Sequence, residues 1–207
     1  MAVSSPTRVT QAQIEAFLRS HLDFILKAKA KMAAHHPDTV CTLAEGERIA
    51  IFGKTYTVCL LNAKKSTAYT ENGILFLALP TPDDPRARVR LFWRFAADEV
   101  AQKMGEMTAK YAPYFLGEGA PMPKITLRRM KSRWGACFYK ENRISYNTNL
   151  IFMHPACLVY VACHELAHFC HPDHSAAFYA CLARVLPNHK ELRKYLHTAP
   201  VPRVGEE

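Results

Sequence analysis

Apolar residues recur along this chain with two different periods, and the changes of period mark its elements. Between positions 10 and 34, Ile14, Phe17, Leu18, Leu22, Ile25 and Leu26 fall three or four apart, as on one face of a helix. Pro37 ends that pattern, because the residue before a proline resists helical backbone. Residues 46–62 and 67–80 instead alternate or run apolar in short β-rich stretches, punctuated by Asn72-Gly73 and Pro80, and predict strands of a small antiparallel sheet. Helical spacing returns over 83–115, opened by Asp83 and Asp84, with Leu91, Phe95, Val100 and Met104 facing inward. A loop over 116–123 leads to two expected strands, 124–140 and 143–149, joined at Glu141-Asn142. From Pro155 to Cys170 the chain is helical again, and 175–187 and 189–196 supply two further helices. Such a mixture predicts an α+β fold in one compact unit, with residues 1–50 as helix and lead-in and 51–207 as the main domain.

Composition narrows the class of protein. Of 207 residues, 49% are hydrophobic and 22% charged, the balance of a globular chain with enough length to bury a core. The first residues carry no apolar run like that of a secretory signal, and no stretch is long and apolar enough to span a membrane, so a cytoplasmic protein is expected. Seven cysteines, an odd number with no CxxC pair, read as mostly buried thiols in a reducing compartment. The net charge of +9 favours acidic or phosphate-bearing partners. Lys124, Arg128, Arg129, Lys131 and Arg133 concentrate that charge in one acid-free run, 124–133, which is either a solvated strand face or a site for a phosphate-bearing ligand. The Gly-Lys-Thr at 53–55 is not a phosphate loop, because Arg48 stands where the motif needs its first glycine.

The densest chemistry lies in His164-Glu165-Leu166-Ala167-His168, an HExxH motif inside an apolar helix. Side chains four apart share a helix face, so His164 and His168 can bind one ion, while Glu165, one step round, can reach a water on that ion without binding the ion itself. This is the arrangement of a zinc hydrolase: ligands, a general base and an open coordination position. A third ligand must come from beyond the helix. His174 has the spacing for a chain that turns back, helped by Pro172, while His171 and Cys170 are the other candidates. His154, just before Pro155, reads as a surface or capping residue.

The segment from Arg128 to Asn188 strongly resembles the YgjP-like metallopeptidase domain, a relative of the SprT and Wss1-like zinc peptidases. The likeness rests on Lys131-Ser132-Arg133-Trp134-Gly135-x-Cys137, on Asn147-x-x-Leu150, on the Tyr160-Val161-x-x-His164-Glu165-Leu166-Ala167-His168 helix, and on His174-Ser175-x-x-Phe178. Weaker similarity extends it to about residues 10–196. The resemblance implies a zincin-like fold, zinc on His164, His168 and His174, and Glu165 as catalytic base activating a zinc-bound water against a peptide bond. It also implies that Lys131–Cys137 lies beside the active helix, so that Arg133 and Lys131 line the cleft and Arg133 acts on an oxyanion or a phosphate. Trp134 reads as core packing or a cleft wall, and Asn147 and Asn149 as turn or supporting residues. Two departures bear on substrate handling: few residues precede the first helix where the family opens with a basic hairpin, and Ala136 replaces the usual serine. A nucleoside triphosphate pyrophosphatase built on the same zinc centre is the alternative, with nucleotide in place of peptide as substrate. A non-catalytic nucleic-acid-associated zinc module is a third reading, disfavoured by the intact Glu165.

Overall fold

The computed structural model describes residues 10–20 and 40–205. The first helix, α1 (Gln11–Ser20), begins where the apolar periodicity begins; the remainder of the expected helix, 21–34, lies outside the described residues. Among the described residues no helix is long and apolar enough to cross a membrane.

Among the described residues, three small sheets and four further α-helices form the body. Strands β2 (Arg48–Ile51), β3 (Lys54–Asn62), β4 (Thr67–Glu71) and β5 (Ile74–Leu79) make a sheet in the order β2-β3-β5-β4. The β4–β5 hairpin turns at Asn72-Gly73, both at positive φ, as the Asn-Gly pair predicts. The same two-residue turn joins β2 to β3 at Phe52-Gly53, where a bulky side chain takes φ 47°. A backbone bond from Phe52 N–H to the Ile151 carbonyl, 2.7 Å, holds that unusual turn. The expected antiparallel sheet is in fact mixed. Strand β5 inserts between β3 and β4 and runs parallel to β3, since β4 is an outer hairpin arm and the chain must return inward from it.

After β5, Asp84 caps helix α2 (Pro85–Leu116) by accepting from Arg86 N–H at 2.8 Å, with Pro85 at the first helical position. The inward row Leu91, Phe95, Val100 and Met104 is buried as its spacing predicts, joined by Phe92, Ala96, Thr108, Ala112 and Phe115. Helix α3 (Pro155–Cys170) packs against it, and α4 (Ala176–Val185) and α5 (His189–Thr198) pack in turn on α3. The two-residue strands β1 (Val40–Cys41) and β9 (Arg203–Val204) pair in parallel.

The third sheet positions the site and differs from the expectation. Residues 124–140 do not form one strand: β6 (Lys124–Arg128) and β7 (Gly135–Phe138) lie on opposite sides of β8 (Arg143–Asn147), parallel and antiparallel to it. The chain leaves the sheet at 129–134 because a buried side chain supplies bonds that a ladder would otherwise make. Asn147 donates to the carbonyls of Met130 and Arg133, both at 2.7 Å, and its oxygen accepts from Met130 N–H. Buried backbone groups need partners, and here one amide serves three of them. Tyr146, one residue earlier and fully buried, shares a 2.9 Å hydrogen bond with Thr108 and ties the sheet to α2.

Candidate metal centre

Helix α3 starts cleanly. His154 is its N-cap, its ring Nδ1 accepting from Ala156 N–H at 3.2 Å, and Pro155 takes the first helical position. Behind that cap, Cys157, Leu158, Val161, Ala162, Leu166 and Ala167 bury one face against the core. The helix thereby presents His164 and His168 together on its other side, their ring centroids 5.0 Å apart. The chain ends the helix at His171, and Ser175 restarts it by capping α4 through Phe178 N–H. The turn between them brings His174 back, with its Nε2 3.0 Å from that of His164.

One ring nitrogen from each of His164, His168 and His174 lies within 4.8 Å of the others. Two imidazole nitrogens at 3.0 Å repel through their lone pairs unless a proton or a cation stands between them. Nitrogens on a tetrahedral zinc would be about 3.3 Å apart, so the His164–His174 pair is already close to the spacing of two ligands on such an ion. Tautomers agree with this. His168 Nδ1 faces the His171 carbonyl at 3.2 Å, which requires a proton on Nδ1 and leaves Nε2 as the lone-pair nitrogen. Burial pushes His164 down to about 3, helped by the neighbouring rings, and also lowers His168, so neither is charged at neutral pH. Neutral imidazoles are the form that binds metal. Phe178 floors the cluster, fully buried, with its ring 4.7–5.0 Å from all three histidine rings. Cys170 instead donates its thiol to the Phe115 carbonyl, and neither it nor His171 belongs to the cluster.

Glu165 is 4% exposed and points toward the third sheet. Burial pushes its carboxyl up to about 8, opposed by a hydrogen bond from the Cys137 backbone and by the charge of Arg133. A cation on the histidine cluster would favour the ionised form. Its other neighbour is Gly135, where a Cβ would stand 2.5 Å from Oε1 and 2.8 Å from Cγ and Cδ. No side chain fits there unless the carboxylate or strand β7 moves. Gly135→Ala should therefore cost roughly 1–3 kcal/mol of stability in urea unfolding, as overpacking does. Adding Glu165→Ala should recover most of that loss, because the colliding atoms are gone. A Gly135→Ala protein as stable as wild type would contradict the close packing.

The pocket around these groups is lined from the strand side by residues 132–137 and Tyr139, and from the helix side by Tyr160, the three histidines, Tyr179 and Arg193. Arg133 lines it as expected, and half-buried Trp134 is both a pocket wall and a neighbour of the core. Lys131 and Arg129 do not line it; Arg129 lies over the Trp93 ring at 4.2 Å. Sequence reasoning missed Tyr179 and Arg193. Arg193 donates to the Tyr179 hydroxyl at 3.0 Å, and Tyr179 stacks on His174. Only the packing of α4 and α5 on α3 brings them in, and no local motif announces it.

Among curated proteins, none matches this chain. A solved structure, the metallopeptidase zymogen of Pyrococcus abyssi abylysin, is similar at 23% identity and a TM-score of 0.41, over 46% of this chain and 92% of that one. The profile of the YgjP-like, metallopeptidase domain matches residues 1–199, nearly the whole sequence. With that extent of agreement, this chain belongs to the YgjP-like metallopeptidase family.

Proposed function

We propose that the protein is a zinc-dependent peptidase of zincin-like fold, with His164, His168 and His174 holding the metal and Glu165 as general base. The observation that carries this reading is the convergence of three imidazoles beside one buried carboxylate in a single pocket. When bound, zinc would supply Lewis-acid polarisation of the scissile carbonyl and make water more acidic. Glu165 takes the proton of the attacking water on its carboxylate and returns it to the leaving amine. Gly135 and the Cys137 amide keep that carboxylate aimed. Arg133, close enough for its charge to act on Glu165, offers a guanidinium to the oxygen that gains charge as the carbonyl is attacked. Tyr160, whose hydroxyl lies 3.5 Å from His164 Nδ1, orients that ring.

Peptide is favoured over nucleotide because the basic run does not converge on the pocket: of its five cations only Arg133 lines it. The odd cysteine count, with Cys41, Cys157, Cys163 and Cys181 buried, fits a protein working in the reducing cytoplasm. The reading is tested by following cleavage of unstructured casein peptides before chelation, after it, and after zinc is restored. Turnover should vanish with the chelator and return with zinc; turnover that survives complete metal removal would exclude the proposal.

A further inference from the structure

The pocket has a charge asymmetry that the reaction itself does not need. Its one lining carboxylate is Glu165, which is 4% exposed and packed against Gly135 of the third sheet. Against it stand two guanidinium groups, Arg133 from the strand side and Arg193 from α5, with His197 one helical turn beyond Arg193. The whole chain is strongly basic as well, at +9. Arg193 is exposed, yet it is not a loose surface charge. The Tyr179 hydroxyl accepts one of its N–H groups at 3.0 Å, and its guanidinium lies 5.9 Å from the Tyr179 ring. Tyr179 is itself stacked between His174 and His189, at 6.3 and 6.1 Å. The arginine is thus fixed relative to the proposed metal ligands, and its charge reaches both His164 and Tyr160. That bond uses one of the five donors in a guanidinium, whose planar fork matches a carboxylate.

Resting on the peptidase reading, we infer that Arg193 is a specificity-determining residue that binds a peptide carboxylate next to the scissile bond, with Tyr179 as its positioning residue. Two sources share this chemistry: an Asp or Glu side chain, and the free C-terminus of a short substrate. Arg193 comes from α5 and its charge acts on His164 and Tyr160, whereas Arg133 comes from the segment before β7 and acts on Glu165, so the two cations serve different groups, one the reacting carbonyl and the other the neighbouring residue. Because Arg193 faces solvent, its contribution should fall as salt rises. A charge-assisted contact of this kind is worth about tenfold in binding.

The test uses zinc-loaded protein and three matched peptide series: one with a glutamate near the cleaved bond and an amidated C-terminus, one with glutamine there and an amidated C-terminus, and one with glutamine and a free C-terminus. The ratio of kcat/KM for the better carboxylate series over the uncharged series should be about tenfold in wild type and near one in Arg193→Ala. Arg193→Glu should invert it, Arg193→Lys should keep part of it, and Tyr179→Phe should reduce it. Whichever carboxylate series carries the preference identifies the source. A parallel readout does not need turnover: fluorescence polarisation of labelled peptides on Glu165→Gln protein should show the same loss of discrimination in Glu165→Gln/Arg193→Ala. Thermal melts confirm that each variant is folded.

Wild type that cleaves peptides without regard to carboxylates would overturn the inference and leave the peptidase reading intact. If no peptide is cleaved but carboxylate-selective binding depends on Arg193, the peptidase reading fails and the recognition stands. A nonhydrolysable nucleoside triphosphate that binds far more tightly than any peptide, through Arg193, would overturn the inference in favour of phosphate.

Discussion

Glu165→Gln should bind zinc as wild type does and lose turnover by on the order of 10²–10⁴-fold, the usual worth of a positioned base. The amide preserves the shape that Gly135 and the Cys137 amide pack against, but it has no basic oxygen to take a proton from water. A small rise in stability should accompany the loss in metal-free protein near neutral pH, since burial raises the Glu165 carboxyl to about 8 and makes it take up a proton on folding, which glutamine need not do. Metal content by mass spectrometry and kcat on the best peptide substrate check both halves. A variant that keeps most of its turnover would remove Glu165 from the chemistry, whatever its position.

The second large effect concerns the metal itself. His164→Ala, His168→Ala and His174→Ala should each fall from one zinc per chain to little or none, because each removes one nitrogen of a three-membered set. Two ligands rarely hold zinc against a chelating buffer, and the third supplies much of the affinity. His171→Ala should keep its zinc, for His171 contributes a carbonyl to His168 through its backbone and stays outside the cluster. Cys170→Ala should keep it too, its thiol being turned to Phe115. Competition titration against a chromogenic chelator measures all five variants. Loss of zinc from His171→Ala with retention in His174→Ala would reverse the ligand assignment.

What could be read directly in the sequence is local. Helix α3 was legible end to end, because Pro155 marks its start, the apolar row from Cys157 to Ala167 fixes its buried face, and the four-residue spacing of His164 and His168 follows from the helix itself. The return of His174 was legible in outline from the breaker Pro172 and the spacing, and the structure brings its ring to that of His164. The inward face of α2 was equally plain. What escaped reading depends on distant partners. The break between β6 and β7 is made by Asn147, 14 and 17 residues along the chain from the carbonyls it binds, and strand propensity in 124–140 gives no hint of it. The parallel pairing of β3 and β5 arises from where β5 lies among its neighbours, which periodicity does not encode. Gly135 stood in the recognised segment, but its role as the space for Glu165 needs both elements in contact. Arg193 lies on a helix whose amphipathic pattern announces only packing, and its place in the pocket comes from how α5 rests on α3.

The central claim, a metal-dependent peptidase and not a nucleotide hydrolase, meets its most direct test in a single reaction. Zinc-loaded protein is incubated with a mixture of unstructured peptides and the four nucleoside triphosphates, and every product is identified by mass spectrometry. The account predicts new peptide fragments whose termini arise by addition of water, with the triphosphates intact. Triphosphates converted to monophosphate and pyrophosphate, with every peptide unchanged, would contradict it.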